Sequence, residues 1–81
     1  MARISGARDD EGVLARLGSH VRERRVSLQM SQEALADASG IDRSHMGKIE
    51  RGERNLTFLN LARIAAALGC KVSQLASGAG L

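Results

Sequence analysis

The chain has 81 residues, enough for one domain with a modest core and a small stability margin unless copies associate. Its only aromatic residue is Phe58, it has no proline, and Ala and Leu dominate, which favours short packed helices over a sheet. The net charge of +3 and a sequence pI near 10.0 suit a polyanionic partner, and the single cysteine, Cys70, excludes an internal disulfide framework or a cysteine-cluster zinc site.

Residues 1–9 mix Gly, Ala, Ser and Arg without periodicity and are expected to be a flexible arm. Arg3 and Arg8 would suit a minor-groove arm, but a disordered start is the favoured reading. A first helix is predicted from near Asp10, capped by Asp9 or Asp10, with Glu11 at the positive helix end. Val13, Leu14, Leu17 and Val21 share one face, and Arg22 to Arg25 bring cations to the C-terminal end. Residues 26–30 form the exit, with Leu28 and Met30 expected inward.

Ser31 is the next predicted cap, with Leu35, Ala36 and Ala34 inside, Glu33 and Asp37 outside, and Gly40 closing the helix in a left-handed conformation. Asp42 should cap a third helix with Met46 and Ile49 inward and Gly52 at its end. After a polar loop, Thr57 should cap a fourth helix over residues 58–68. Phe58, Leu61, Ala62, Ala65 and Leu68 make one stripe, and Leu59, Ile64 and Ala66 fall partly outside it. A helix apolar over so much of its circumference needs two surfaces, and in a chain this short the second is expected to be another copy. Val72, Leu75 and Ala76 mark a fifth short helix, and residues 78–81 are expected to be a flexible tail. The expected division is thus an arm over 1–9, one domain over 10–77, and the tail.

Residues 31–52 carry the most specific signal. Helix, glycine turn and helix is the geometry that presents a recognition helix to the major groove. Gln32 sits just inside a helix N-terminus, where a side-chain amide can reinforce the backbone N–H groups toward a phosphate. Ala36 is small where two helices cross. Arg43, Ser44 and Lys48 point away from the apolar residues and are candidate base readers, since Arg or Lys to guanine O6 and N7 is the commonest specific contact. His45 could reach a phosphate or a base. Gly47 lets the helix lie close to DNA.

The Ser-Gln-x-x-Leu-Ala start at Ser31 and the Ile-Glu-Arg-Gly finish at Gly52 resemble the Xre/Cro-type helix-turn-helix family, and the likeness runs from Leu17-Gly18 through Leu75. Asp42-Arg43-Ser44 followed by Glu50-Arg51-Gly52-Glu53-Arg54-Asn55-Leu56-Thr57 is similar to the controller proteins of restriction–modification systems. The resemblance implies an all-α fold, a compact bundle of five short helices like the lambda-repressor DNA-binding domain. It implies base reading by Arg43, Ser44 and Lys48, and backbone contacts by Ser31, Gln32, His45, Arg51, Arg54 and Asn55. It also implies a partly buried ion pair between Arg25 and Glu50, and a dimer interface is expected at Leu56, Phe58, Leu59 and Leu75. Three positions depart from the family pattern: Arg24 replaces an apolar residue, His45 a tyrosine, and Gln29 the turn glycine. The last departure suggests that the first helix runs on by a turn.

The expected function is sequence-specific transcriptional regulation by a homodimer on a palindromic double-stranded operator, with RNA polymerase as a further partner. A phage repressor or Cro-like regulator, an antitoxin, and a protein-interaction module without a DNA role are the alternatives. Enzymatic activity is not expected: His20 and His45 lie among arginines rather than carboxylates, and Cys70 has no local histidine. Neither a cofactor, a metal nor a small-molecule ligand is expected. Without a bilayer-spanning run or a signal-peptide pattern, the chain is expected to be cytoplasmic.

Overall fold

The computed structural model describes residue 9 and residues 11–81, and contains five helices: α1 (Val13–Ser27), α2 (Gln32–Ser39), α3 (Arg43–Glu50), α4 (Phe58–Ala67) and α5 (Val72–Gly78). The expected arm lies outside the described residues except for Asp9. That residue is the cap of α1, reached from a distance: Leu14 N–H and Ala15 N–H donate to its two carboxylate oxygens at 3.1 Å each. Gly12 takes the N-cap position itself, so α1 begins three residues later than the charge pattern around Asp10 suggests.

Each helix contributes one side chain to the centre of the core. Val21, Leu35, Met46, Ile64 and Leu75, one from each of α1 to α5, are the largest fully buried residues. Around them α1 packs on α3 and α5, α2 on α3 and α4, and α4 on α5. Ser31, Asp42 and Thr57 cap α2, α3 and α4 as expected, each accepting from backbone N–H groups of the first turn. The helices therefore start where local chemistry satisfies the free N–H groups.

Both turns that flank α2 close on a left-handed residue. After α2 the residue is Gly40 (φ 70°), with Ile41 N–H donating to Ala36 O at 3.0 Å and Gly40 N–H to Asp37 O at 3.3 Å. After α1 the same pair of bonds forms, Met30 N–H to Arg25 O and Gln29 N–H to Val26 O, but the left-handed residue is Gln29 (φ 58°). The helix does not run on; the glutamine accepts the strained conformation, because Met30 must turn back toward the core. A non-glycine residue here costs about 1–2 kcal/mol, partly offset by glycine's larger unfolded-state entropy. Gln29→Gly should therefore stabilise the fold by roughly 0.5–1 kcal/mol, seen as a melting temperature a few degrees higher.

Packing corrects five readings. Ile64 is fully buried and Phe58 is 74% exposed, so the inner stripe of α4 is Leu61, Ile64 and Ala65, continued by Leu68 at the C-cap. Leu75 has no exposed surface; as the α5 contribution to the core it is unavailable to a dimer interface. Leu28, expected inside, is 51% exposed, since the turn at Gln29 carries the chain past it. Ala34 is exposed, leaving Leu35 and Ala36 as the inward residues of α2. The end of the chain is folded: Gly78 closes α5, Ala79 is buried, and Leu81 N–H donates to Ala76 O.

Candidate nucleic-acid interface

The N-terminal half of α3 stands on the surface and is fixed at its base. Asp42 accepts from Ser44 N–H at 3.0 Å, from His45 N–H at 3.3 Å and from the Ser44 hydroxyl. These bonds, the Ser44 hydroxyl first among them, hold the Asp42 carboxyl below the usual carboxylate range. The cap is thus complete above the ordinary carboxylate pKa and is lost only as pH falls through the depressed one. One consequence touches the expected reader Ser44: in the free protein its hydroxyl donates to Asp42, which leaves its lone pairs available to a base.

Behind the exposed face lies a buried cluster that ties α3 to the rest of the bundle. Arg25 grips Glu50 with both ends of its guanidinium, Nε to Oε2 at 2.8 Å and Nη2 to Oε1 at 3.0 Å, while Nη1 donates to Met30 O at 2.9 Å. The two side chains are 11% and 2% exposed. The hydrogen bond to Glu50 raises the Arg25 pKa against the opposing effect of burial. Gln32 joins the cluster, its amide donating to Glu50 Oε1 at 3.1 Å. One amide N–H of Gln32 is therefore spent inside the protein, leaving one for a phosphate.

Gln32, Asp42, Arg43, Ser44, Gly47, Lys48 and Arg51 line one open concavity. Five of the residues expected at DNA, Gln32, Arg43, Ser44, Lys48 and Arg51, thus come together on one surface. Gly47 is its floor: a Cβ there would meet Arg51 Nη1 at 3.2 Å and Gln32 Oε1 at 3.3 Å. A methyl here would require those two side-chain ends to shift by a few tenths of an ångström. Ser31, Arg54 and Asn55 are exposed but outside the concavity. His45 is half-buried, with Nε2 enclosed and without a hydrogen-bond partner. Two carboxylates not anticipated from the sequence meet the exposed arginines. Glu33 Oε2 lies 3.6 Å from Arg43 Nη1, and Glu53 Oε2 lies 3.0 Å from Arg51 Nε. No helical spacing relates either pair, so no periodic signal marks them.

Among the described residues, no cluster of three or more His, Cys, Asp or Glu side chains could hold a metal ion. No helix among them is long and apolar enough to cross a membrane.

The family model described as helix-turn-helix matches residues 21–75. The chain is 42% identical over 65 residues to the control protein C.SmaI of Serratia marcescens, covering 80% of this chain and 77% of that one. The crystal structure of the restriction–modification controller protein C.AhdI from Aeromonas hydrophila is similar with a TM-score of 0.75 and 42% identity, covering 76% of this chain and 94% of that one. A hypothetical transcription factor from Neisseria has a TM-score of 0.76 at 34% identity, covering 91% of this chain and 85% of that one.

Proposed function

The chain belongs to the helix-turn-helix family of DNA-binding transcriptional regulators, and from that premise we propose that it is a restriction–modification controller acting as a homodimer on a palindromic operator. The observation that carries this is the open concavity holding Arg43 and Lys48 of α3 and Arg51 at its C-cap, on a helix anchored from behind by Arg25 and Glu50. Arg43 and Lys48 donate to base edges and Ser44 accepts there. Arg51, Gln32 and the N–H groups opening α2 hold phosphates, with Ser31, His45, Arg54 and Asn55 around them. The second copy sets the two recognition helices roughly 34 Å apart, one DNA turn. Phe58 and Leu59, 74% and 60% exposed beside half-buried Leu56, supply the apolar surface for that contact. Occupancy of a promoter then blocks or recruits RNA polymerase in the cytoplasm.

Two substitutions test the division between readers and clamps. Arg43→Ala should cost on the order of 1–3 kcal/mol on the selected site and relax base preference at one position per half-site. Arg51→Ala should weaken selected and random DNA alike and flatten the salt dependence. The selected duplex comes from a random pool bound by the wild-type protein, and affinities are read by fluorescence anisotropy. Equal losses for both variants on both DNAs would overturn the assignment. Sedimentation of the free protein across concentration reads the dimer directly, and a monomer at all concentrations with tight operator binding would exclude it.

A further inference from the structure

Each arginine lining the concavity already has an anion. Arg43 meets Glu33 at 3.6 Å and Arg51 meets Glu53 at 3.0 Å, and all four side chains are more than half exposed. Glu33 comes from the first turn of α2 and Glu53 from the loop after α3, so the two carboxylates reach the arginines from different elements. Carboxylate and phosphate oxygens bind a guanidinium with the same geometry. DNA must therefore take Arg43 and Arg51 from groups that chemically resemble its own backbone. The Asp42 carboxylate in the same concavity forms no ion pair with either arginine, and its Oδ2 serves as the cap of α3, accepting from Ser44 and His45.

We propose that Glu33 and Glu53 are affinity-setting residues, built-in counter-anions that occupy Arg43 and Arg51 in the free protein and compete with DNA for them. The inference rests on the DNA-binding reading above. Magnitudes decide the outcome. A guanine contacted by both guanidinium ends is worth more than an exposed ion pair, so the selected site wins the competition. Releasing an exposed pair is worth about two- to fivefold in affinity. The glutamates thus hold binding below what the arginines alone would give, without abolishing it.

The test uses the full chain, a random-sequence duplex and the selected duplex, titrated at several salt concentrations. Glu33→Gln and Glu53→Gln should each tighten binding to both duplexes about two- to fivefold, with the gain shrinking as salt rises. Asp37→Asn makes the same change in net charge on α2 at an exposed position and should have a smaller effect. The gain from Glu33→Gln should vanish in an Arg43→Ala background, and that from Glu53→Gln in an Arg51→Ala background. A glutamate variant that matches Asp37→Asn, that keeps its gain without its arginine, or that weakens binding would overturn the proposal. Silent glutamates beside arginine variants that behave as stated above sink only this inference. A wild-type chain without salt-dependent affinity for either duplex sinks the DNA-binding assignments and this inference with them.

Discussion

Glu50→Ala is expected to destabilise the fold by about 3–5 kcal/mol, the usual cost of removing one partner from a buried ion pair. The carboxylate is 2% exposed and accepts three hydrogen bonds, two from Arg25 and one from Gln32. Alanine leaves the guanidinium, itself only 11% exposed, with Met30 O as its remaining partner. In a domain of this size the whole stability is on the order of 5–15 kcal/mol, so the loss is a large fraction of it. The melting temperature should fall by more than about 10 °C, at roughly 4–8 °C per kcal/mol. Urea titration should show a lower midpoint with an unchanged slope. The exposed pair between Arg51 and Glu53 gives the internal comparison: Glu53→Ala should cost well under about 1 kcal/mol. The double replacement Arg25→Met with Glu50→Leu should recover most of the loss, because two apolar groups leave no charge unpaired. A loss below about 1 kcal/mol for Glu50→Ala would mean that water reaches the pair.

That cluster also shows what could be read from the sequence and what could not. The caps were legible because capping is local: Ser31, Asp42 and Thr57 each bond to residues two or three positions on. The five helices and the outward face of α3 follow from periodicity in the same way. Asp9 was harder, since it reaches five and six residues forward across a left-handed Gly12. Ile64 and Leu75 were misplaced for a different reason. An apolar residue on a helix apolar over much of its surface carries no mark of which neighbour it meets, and only packing distinguishes core from exposed stripe. Gln29 shows tertiary context overriding local preference: the position needs a left-handed residue whatever its side chain. At the site, residue types pointed to the cations, whereas Glu33 meets Arg43 through the convergence of α2 and α3, and Glu53 meets Arg51 through the conformation of the loop they share.

Among the glycines, the closest approach to main-chain atoms lies where α1 crosses α3, and it predicts the second large effect. A Cβ on Gly18 would fall 2.3 Å from Ile49 O and 2.7 Å from Glu50 O. Both are main-chain atoms, so no side-chain rotation relieves the overlap; α1 and α3 must separate. Alanine would favour the helix itself by about 0.8–1 kcal/mol. Against this, forcing extra volume into a packed core costs about 1–3 kcal/mol and occasionally more. Here the upper end applies, because α3 cannot move freely. Met46 and Ile49 are buried on its inner side, and Glu50 is held by Arg25, two turns along α1 on the same face as Gly18. Gly18→Ala should therefore destabilise the fold by about 2 kcal/mol net. The separation that accommodates the methyl also stretches the Arg25–Glu50 pair. The two substitutions should consequently be non-additive, the Gly18→Ala and Glu50→Ala double variant losing less than the sum of the single losses by more than about 0.5 kcal/mol. Additive losses would show that the crossing and the ion pair act independently. A Gly18→Ala variant as stable as the wild type would show that α1 and α3 can part without cost, and the rigid seating of the recognition helix would then need another cause.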